Sequence, residues 1–128
     1  MQNTISLTRP VAGLNLRQWL CFDALTCLAM ATLLLATVGP ASALLGLPEA
    51  LLRHAGLILI PCAGLMIVAA RTGAKSLVWL VIVGNFAWSA ASLLIALVLQ
   101  PTGIGFALTL AQAAAVAVLG MLEWRARG

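Results

Sequence analysis

The chain has 128 residues, of which 63% are hydrophobic and 8% charged, with a formal net charge of +4. An ordinary soluble domain carries about 25% charged residues, and no water-soluble fold of this length hides so much apolar surface, so lipid must cover part of it. The seven basic residues lie at the ends of apolar segments rather than in one patch, which fits topology signals and headgroup contacts and excludes nucleic acid as a partner.

Residues 1–16 are mixed in character, and Arg9-Pro10 and Gly13 break any regular pattern. This arm is expected either to be flexible or to lie along the headgroups with Ile5, Leu7, Val11, Leu14 and Leu16 dipping inward. A first apolar helix is predicted over residues 18–38, long enough at 1.5 Å per residue for a hydrocarbon core of about 30 Å. Gly39-Pro40 is expected to stop it. Ala41-Ser42-Ala43 also has the form of a signal-cleavage site. The length of the preceding run, Asp23 within it and the arm before it favour a retained helix.

The connection over residues 41–53 is rich in leucine, and a short interfacial helix or re-entrant piece is expected there, beginning at Pro48 with Glu49 near its positive end. The second long helix is predicted over residues 54–70, with Pro61 near its centre. A mid-helix proline removes one backbone hydrogen bond and kinks the helix, which membrane helices tolerate when neighbours satisfy the freed carbonyl. A basic turn over residues 71–76 leads to a third helix over residues 77–99. An uncharged turn at 100–103 leads to a fourth over residues 104–124. Short turns force antiparallel neighbours. The expected fold is therefore an all-α integral membrane protein, a single antiparallel bundle of four transmembrane helices spanning residues 1–128.

Charge sets the expected orientation. Arg9, Arg17, Arg71, Lys75, Arg125 and Arg127 fall on one side, and Arg53 with Glu49 on the other. The positive-inside rule then places both termini in the cytoplasm. Trp19 and Trp124, with Trp79 close by, mark that interface.

Few residues offer chemistry. Asp23 is an ionisable group inside an apolar helix and so a functional candidate. It is expected within one to two turns of the cytoplasmic surface, either paired with Arg71, Lys75, Arg125 or water, or binding a proton or substrate. Asn85, Trp88, Ser89 and Ser92 share one face of the third helix. Gly84, Ala87, Ala90 and Ala91 add small surfaces there, and Gly105, Thr109 and Gln112 form a face on the fourth helix. Asn85 is expected to bond Gln112 or the carbonyl freed by Pro61, with a polar ligand cavity as the alternative.

Cys21, Cys27 and Cys62 form no C-x-x-C pair and read as small hydrophobes. The single histidine, His54, excludes bis-histidine heme within one subunit. It also lies across the membrane from Cys21, so a zinc set with Cys21 and Cys27 fails. Asp23, Glu49 and Glu123 are the three carboxylates; Asp23 and Glu123 are both expected near the cytoplasmic face and Glu49 opposite, and no acidic pair is spaced for two-carboxylate chemistry. With no nucleophile–base pair and no glycine-rich phosphate loop, the chain reads as non-enzymatic, without cofactor or metal.

Asp23, Leu45-Gly46-Leu47-Pro48, Arg53-His54-Ala55-Gly56, Gly84-Asn85-Phe86-Ala87-Trp88, Ala111-Gln112-Ala113 and Leu122-Glu123-Trp124 together resemble a group of small bacterial inner-membrane proteins of four helices. That resemblance covers residues 17–124 and implies a bacterial, four-helix, non-enzymatic protein of the inner membrane. In size and helix count the chain is also similar to the small multidrug resistance transporters, whose first helix carries an embedded glutamate where this chain has Asp23. It differs in having no tyrosine and one deep tryptophan, Trp88. The expected role is an accessory or assembly partner that packs on itself or on a larger membrane complex. The alternatives are an oligomeric proton-coupled transporter, with Asp23 titrating and Asn85, Trp88 and Gln112 along the path, and a lipid- or quinone-binding protein.

Overall fold

The computed structural model describes residues 4–127, most of them helical. A small hairpin comes first, in which β1 (Pro10–Val11) pairs antiparallel with β2 (Leu14–Asn15). It turns through Ala12 and Gly13, both at positive φ (52° and 87°), a conformation that glycine adopts freely and alanine at a cost. β2 runs directly into α1 (Leu16–Ala36). Asn15 accepts from the Gln18 backbone N–H at 2.9 Å, and the Gln18 side chain accepts from the Asn15 N–H at 3.0 Å. This reciprocal cap satisfies two amides at the start of the helix.

α1 ends before the Gly39-Pro40 pair expected to stop it. Those two residues lie instead in the first turn of a short helix, α2 (Val38–Leu45), where proline has no intrahelical N–H bond to lose. The short helix expected at Pro48 is therefore found earlier in the chain. Pro48 itself caps the long helix α3 (Glu49–Thr72), which absorbs Leu51, Leu52 and Arg53 into its first turns. Gly73, at φ 65°, ends α3, and α4 (Lys75–Val98) and α5 (Gly103–Ala126) follow.

α1 lies antiparallel on α3, with Arg17 Nε donating to the Ala70 carbonyl at 3.0 Å near one end and Gly56 seating Leu35 near the other. α4 lies antiparallel on α5, where Ser89 Oγ donates to the Ala113 carbonyl at 2.6 Å and Gly120 seats Asn85 and Phe86. The two hairpins meet at both ends. At the end carrying Arg17, Arg71, Lys75, Arg125 and Arg127, a core of Leu16, Leu20, Met66, Val78 and Val81 fills the space between them. The N-terminal arm is bonded across this end rather than loose. Ile5 N donates to the Gly73 carbonyl at 2.7 Å, Trp19 Nε1 donates to the Val11 carbonyl at 2.9 Å, and Ile5, Leu7 and Val11 pack on the core.

At the opposite end, Thr102 donates its backbone N–H to the Leu45 carbonyl at 3.1 Å and its hydroxyl to the Leu44 carbonyl at 2.7 Å. Gly105 approaches the Leu45 carbonyl so closely that a Cβ there would collide with it. Between these two ties the hairpins part.

α1, α3, α4 and α5 are each long and apolar enough to cross a membrane, with mean hydropathy of 1.9 to 2.0 over their most apolar 18 residues. No more than 33% of any such window is buried inside the protein. Leu25, Leu94 and Leu97 are among many large apolar side chains left on the outer surface, a surface that in water would drive aggregation.

Candidate functional site

Three polar side chains from three helices converge near the basic end. Asp23 sits about 10 Å along α1 from its first residue, Asn85 lies in the first half of α4, and Glu123 belongs to the last turn of α5. The antiparallel arrangement brings the start of α1, the start of α4 and the end of α5 to the same level. Asn85 Nδ2 donates to Asp23 Oδ2 at 2.8 Å and to Glu123 Oε1 at 2.7 Å. Two acids from opposite ends of the sequence thus share one amide.

Water has little access to them. Asp23 is 2% exposed, Asn85 5% and Glu123 0%. Among the described residues no basic side chain pairs with either acid: Arg17 turns to the Ala70 carbonyl, and Arg127 lays its guanidinium over Trp79, 4.5 Å from the ring centroid. Glu123 Oε2 has no hydrogen-bond partner among the described residues. Asp23 Oδ1 faces the Cys27 thiol at 3.9 Å, a weak contact for a carboxylate.

A cavity of about 690 Å³ opens beside this cluster, between the two hairpins. Asp23 and Asn85 lie in its wall, and Phe22, Cys62, Gly84 and Leu119 extend that wall over all four long helices. A second cavity of about 700 Å³ continues toward α2, with Leu34, Leu44 and Ile58 among its lining. Met30, Trp88 and Gln112 border both. At this waist Trp88 Nε1 donates to Gln112 Oε1 at 3.1 Å, and the Gln112 amide donates on to the Thr109 carbonyl at 3.2 Å. The result is a mainly apolar cleft with an acid–amide group near one end and a neutral polar pair at mid-length, the pattern of a small-molecule site.

The sequence-derived candidates distribute as follows. Asp23 and Asn85 line the first cavity, and Trp88 and Gln112 form the waist. Ser89 is buried on the α4–α5 seam against the Ala113 carbonyl, and Ser92 donates to the Trp88 carbonyl. The expected partners differ from those found. Asp23 takes Asn85 in place of Arg71, Lys75 or Arg125, and Asn85 takes the two acids in place of Gln112 or the carbonyl freed by Pro61. Gln112 lies three turns along α5 from Glu123, and Trp88, with its longer side chain, reaches it instead.

Glu123 is the member that sequence reasoning missed. It reads as an interfacial residue because it sits one turn from a helix end beside Trp124. Helical side chains lean toward the N-terminus of their own helix, which carries this carboxyl inward from the end of α5. Asp23 and Glu123, both expected near the cytoplasmic face, are joined there through Asn85. The cysteines are free, and among the described residues no group of three or more His, Cys, Asp or Glu is placed to hold a metal ion.

The chain matches no protein-family model, no curated protein and no solved structure.

Proposed function

We propose that this is a multi-pass protein of a bacterial inner membrane that takes a small, largely apolar molecule from the bilayer into the cleft between its two helical hairpins. The polar end of that molecule sits against Asp23 and Asn85. The observation that carries this reading is the cleft itself, whose walls from four helices are mainly apolar, with the buried acid–amide group near one end and the Trp88–Gln112 pair at mid-length. An intramembrane carboxylate is costly and marks a binding or proton-handling position by default. Asp23 serves that role in a carrier or proton-coupled transporter as well as in a lipid- or quinone-type binder.

Four apolar helices with little of their surface buried support the membrane location. Arg9, Arg17, Arg71, Lys75, Arg125 and Arg127 against Arg53 support cytoplasmic termini. An assembly role drew its support from small residues on α4 and α5. Gly84 and Ala91 belong to that set, yet both line the cleft, so the weight passes to a ligand.

A photoreactive fatty alcohol in nanodiscs tests the reading, with cross-linked peptides mapped by mass spectrometry. Labelling concentrated at Met30, Gly84 and Leu119 is expected. Labelling spread over the outward residues Leu25, Leu94 and Leu97 to the same extent would sink the reading, because it describes ordinary lipid contact.

A further inference from the structure

We infer that Cys27 on α1, with Met66 and Cys62 on α3, forms a binding site for a soft metal ion of the copper(I) class. The site shares a wall with the cleft but does not rest on the ligand proposed for it.

Sulfur is unevenly placed in this molecule. The chain has three Cys and four Met, and Cys27, Met30, Cys62 and Met66 all line the first cavity. The antiparallel register of α1 on α3 is set by Arg17 with Ala70 near one end and Leu35 with Gly56 near the other. It brings Cys27 level with the turn of α3 that carries Cys62 and Met66. Those two stand at i and i+4 and share one face of the helix. Cys27 Sγ lies 3.8 Å from Met66 Sδ, and both cysteines are free thiols. Three metal–sulfur bonds of about 2.3 Å in a trigonal arrangement hold their sulfurs about 4 Å apart. The Cys27–Met66 pair already has that spacing, so an ion seats between the two with neither helix moved. Cys62, on the same wall one turn from Met66, is the third donor.

The donor set selects the ion. Thiolate and thioether sulfur favour copper(I), whereas zinc in a closed site takes four ligands drawn from Cys, His, Asp and Glu. Among the described residues no three of those types come together to hold a metal. Asp23 Oδ1 also lies 3.9 Å from Cys27 Sγ, but a carboxylate is a hard donor, suited to magnesium or calcium. A thiol that coordinates a metal gives up its proton. On binding, the Cys27 S–H bond breaks, a sulfur–metal bond forms and the proton passes to water. One positive charge replaces another, so the net charge of the site is unchanged. Met66 donates a neutral lone pair, and Cys62 acts as a neutral thiol, a weaker donor than the thiolate. No electron is transferred, and the ion stays monovalent.

The test is anaerobic transfer of copper(I) from its coloured bicinchoninate complex to the detergent-solubilised protein, read as loss of that colour. Cys21, exposed on α1 and absent from the cavity wall, is replaced by serine throughout so that it takes no part. One copper(I) per chain is expected, with about one proton released per ion and no competition from an equal concentration of zinc(II). Cys27→Ser and Met66→Leu, which change little in volume, are each expected to lose the transfer. Cys62→Ser is expected to keep it at lower affinity. Unchanged helical content without copper shows that each variant is folded. X-ray absorption at the copper edge of the loaded Cys21→Ser protein needs no further variant and is expected to show sulfur alone around the ion. Absence of transfer overturns the site, as does transfer that survives unchanged in Cys27→Ser or Met66→Leu. Affinity unchanged in Cys62→Ser overturns the three-sulfur assignment. Oxygen or nitrogen around the copper, or displacement by zinc(II), overturns it as well.

Discussion

Asp23 and Glu123, from the first and last helices of the chain, accept hydrogen bonds from the same nitrogen, Asn85 Nδ2, at 2.8 and 2.7 Å. An amide nitrogen has two hydrogens, and here each goes to a different acid. The contact joins the α1–α3 hairpin to the α4–α5 hairpin near the basic end, as Thr102 joins them at the other through Leu44 and Leu45. The cleft lies between these two ties. Its width therefore depends on these polar contacts at its two ends and on the apolar core beside the basic end.

Asn85→Ala leaves two buried acids without their donor and is expected to lower stability by about 1–3 kcal/mol, read as a lower thermal midpoint in detergent. Gln112→Ala, at the waist, removes an ordinary interhelical bond worth about 0.6–2 kcal/mol and is expected to cost less. Asn85→Asp keeps the shape but sets a third acid beside two others, so at neutral pH it should lose at least as much as the alanine variant. Equal midpoints for all three would deny Asn85 any special place.

Glu123→Gln should behave in the opposite way. The amide oxygen still accepts from Asn85, so one buried acid is lost with no bond broken. Replacing a buried charge with a neutral group of the same shape is often neutral or stabilising. A midpoint unchanged or raised is expected. A fall as large as that of Asn85→Ala would mean that the charge of Glu123 is itself structural.

The glycines divide by their surroundings. A Cβ on Gly105 collides with the Leu45 carbonyl, a backbone atom that cannot swing aside, whereas a Cβ on Gly64 meets nothing within 4 Å. Gly105→Ala is expected to break the Thr102 tie and destabilise by about 2 kcal/mol or more. Gly64→Ala should stabilise slightly, by up to about 1 kcal/mol, through helix propensity. Thermal midpoints of the two variants measured side by side decide the matter.

Gly84 offers a way to close the cleft without disturbing the acids. It lines the first cavity, and a Cβ there has open space around it. Gly84→Leu is expected to fill part of the cavity, hold or raise the thermal midpoint and weaken ligand binding about tenfold or more. Unchanged binding in a folded Gly84→Leu variant would place the ligand elsewhere.

The four long helices are legible in the sequence because apolar runs of membrane length stand between Gly, Pro and basic turns. Where reading and structure part, the cue was real but attached to the wrong element. Pro48 does precede a helix, but that helix is α3, because Leu51 and Leu52 continue its apolar pattern. Pro40 reads as a stop yet opens α2, since the first turn of a helix needs no N–H bond from it. Asp23 and Asn85 stand out as polar residues in apolar helices. Their meeting does not, because it depends on how each helix is rotated about its axis. Glu123 is hidden further by its place near a helix end, from which its side chain leans inward.

Native mass spectrometry of the protein released from nanodiscs tests the central claim most directly. The expected result is one small molecule bound per chain in the unmodified protein and lost in Gly84→Leu. A chain that carries no such molecule and travels instead with a second protein in fixed ratio would contradict it, and would make the cleft a seat for that partner.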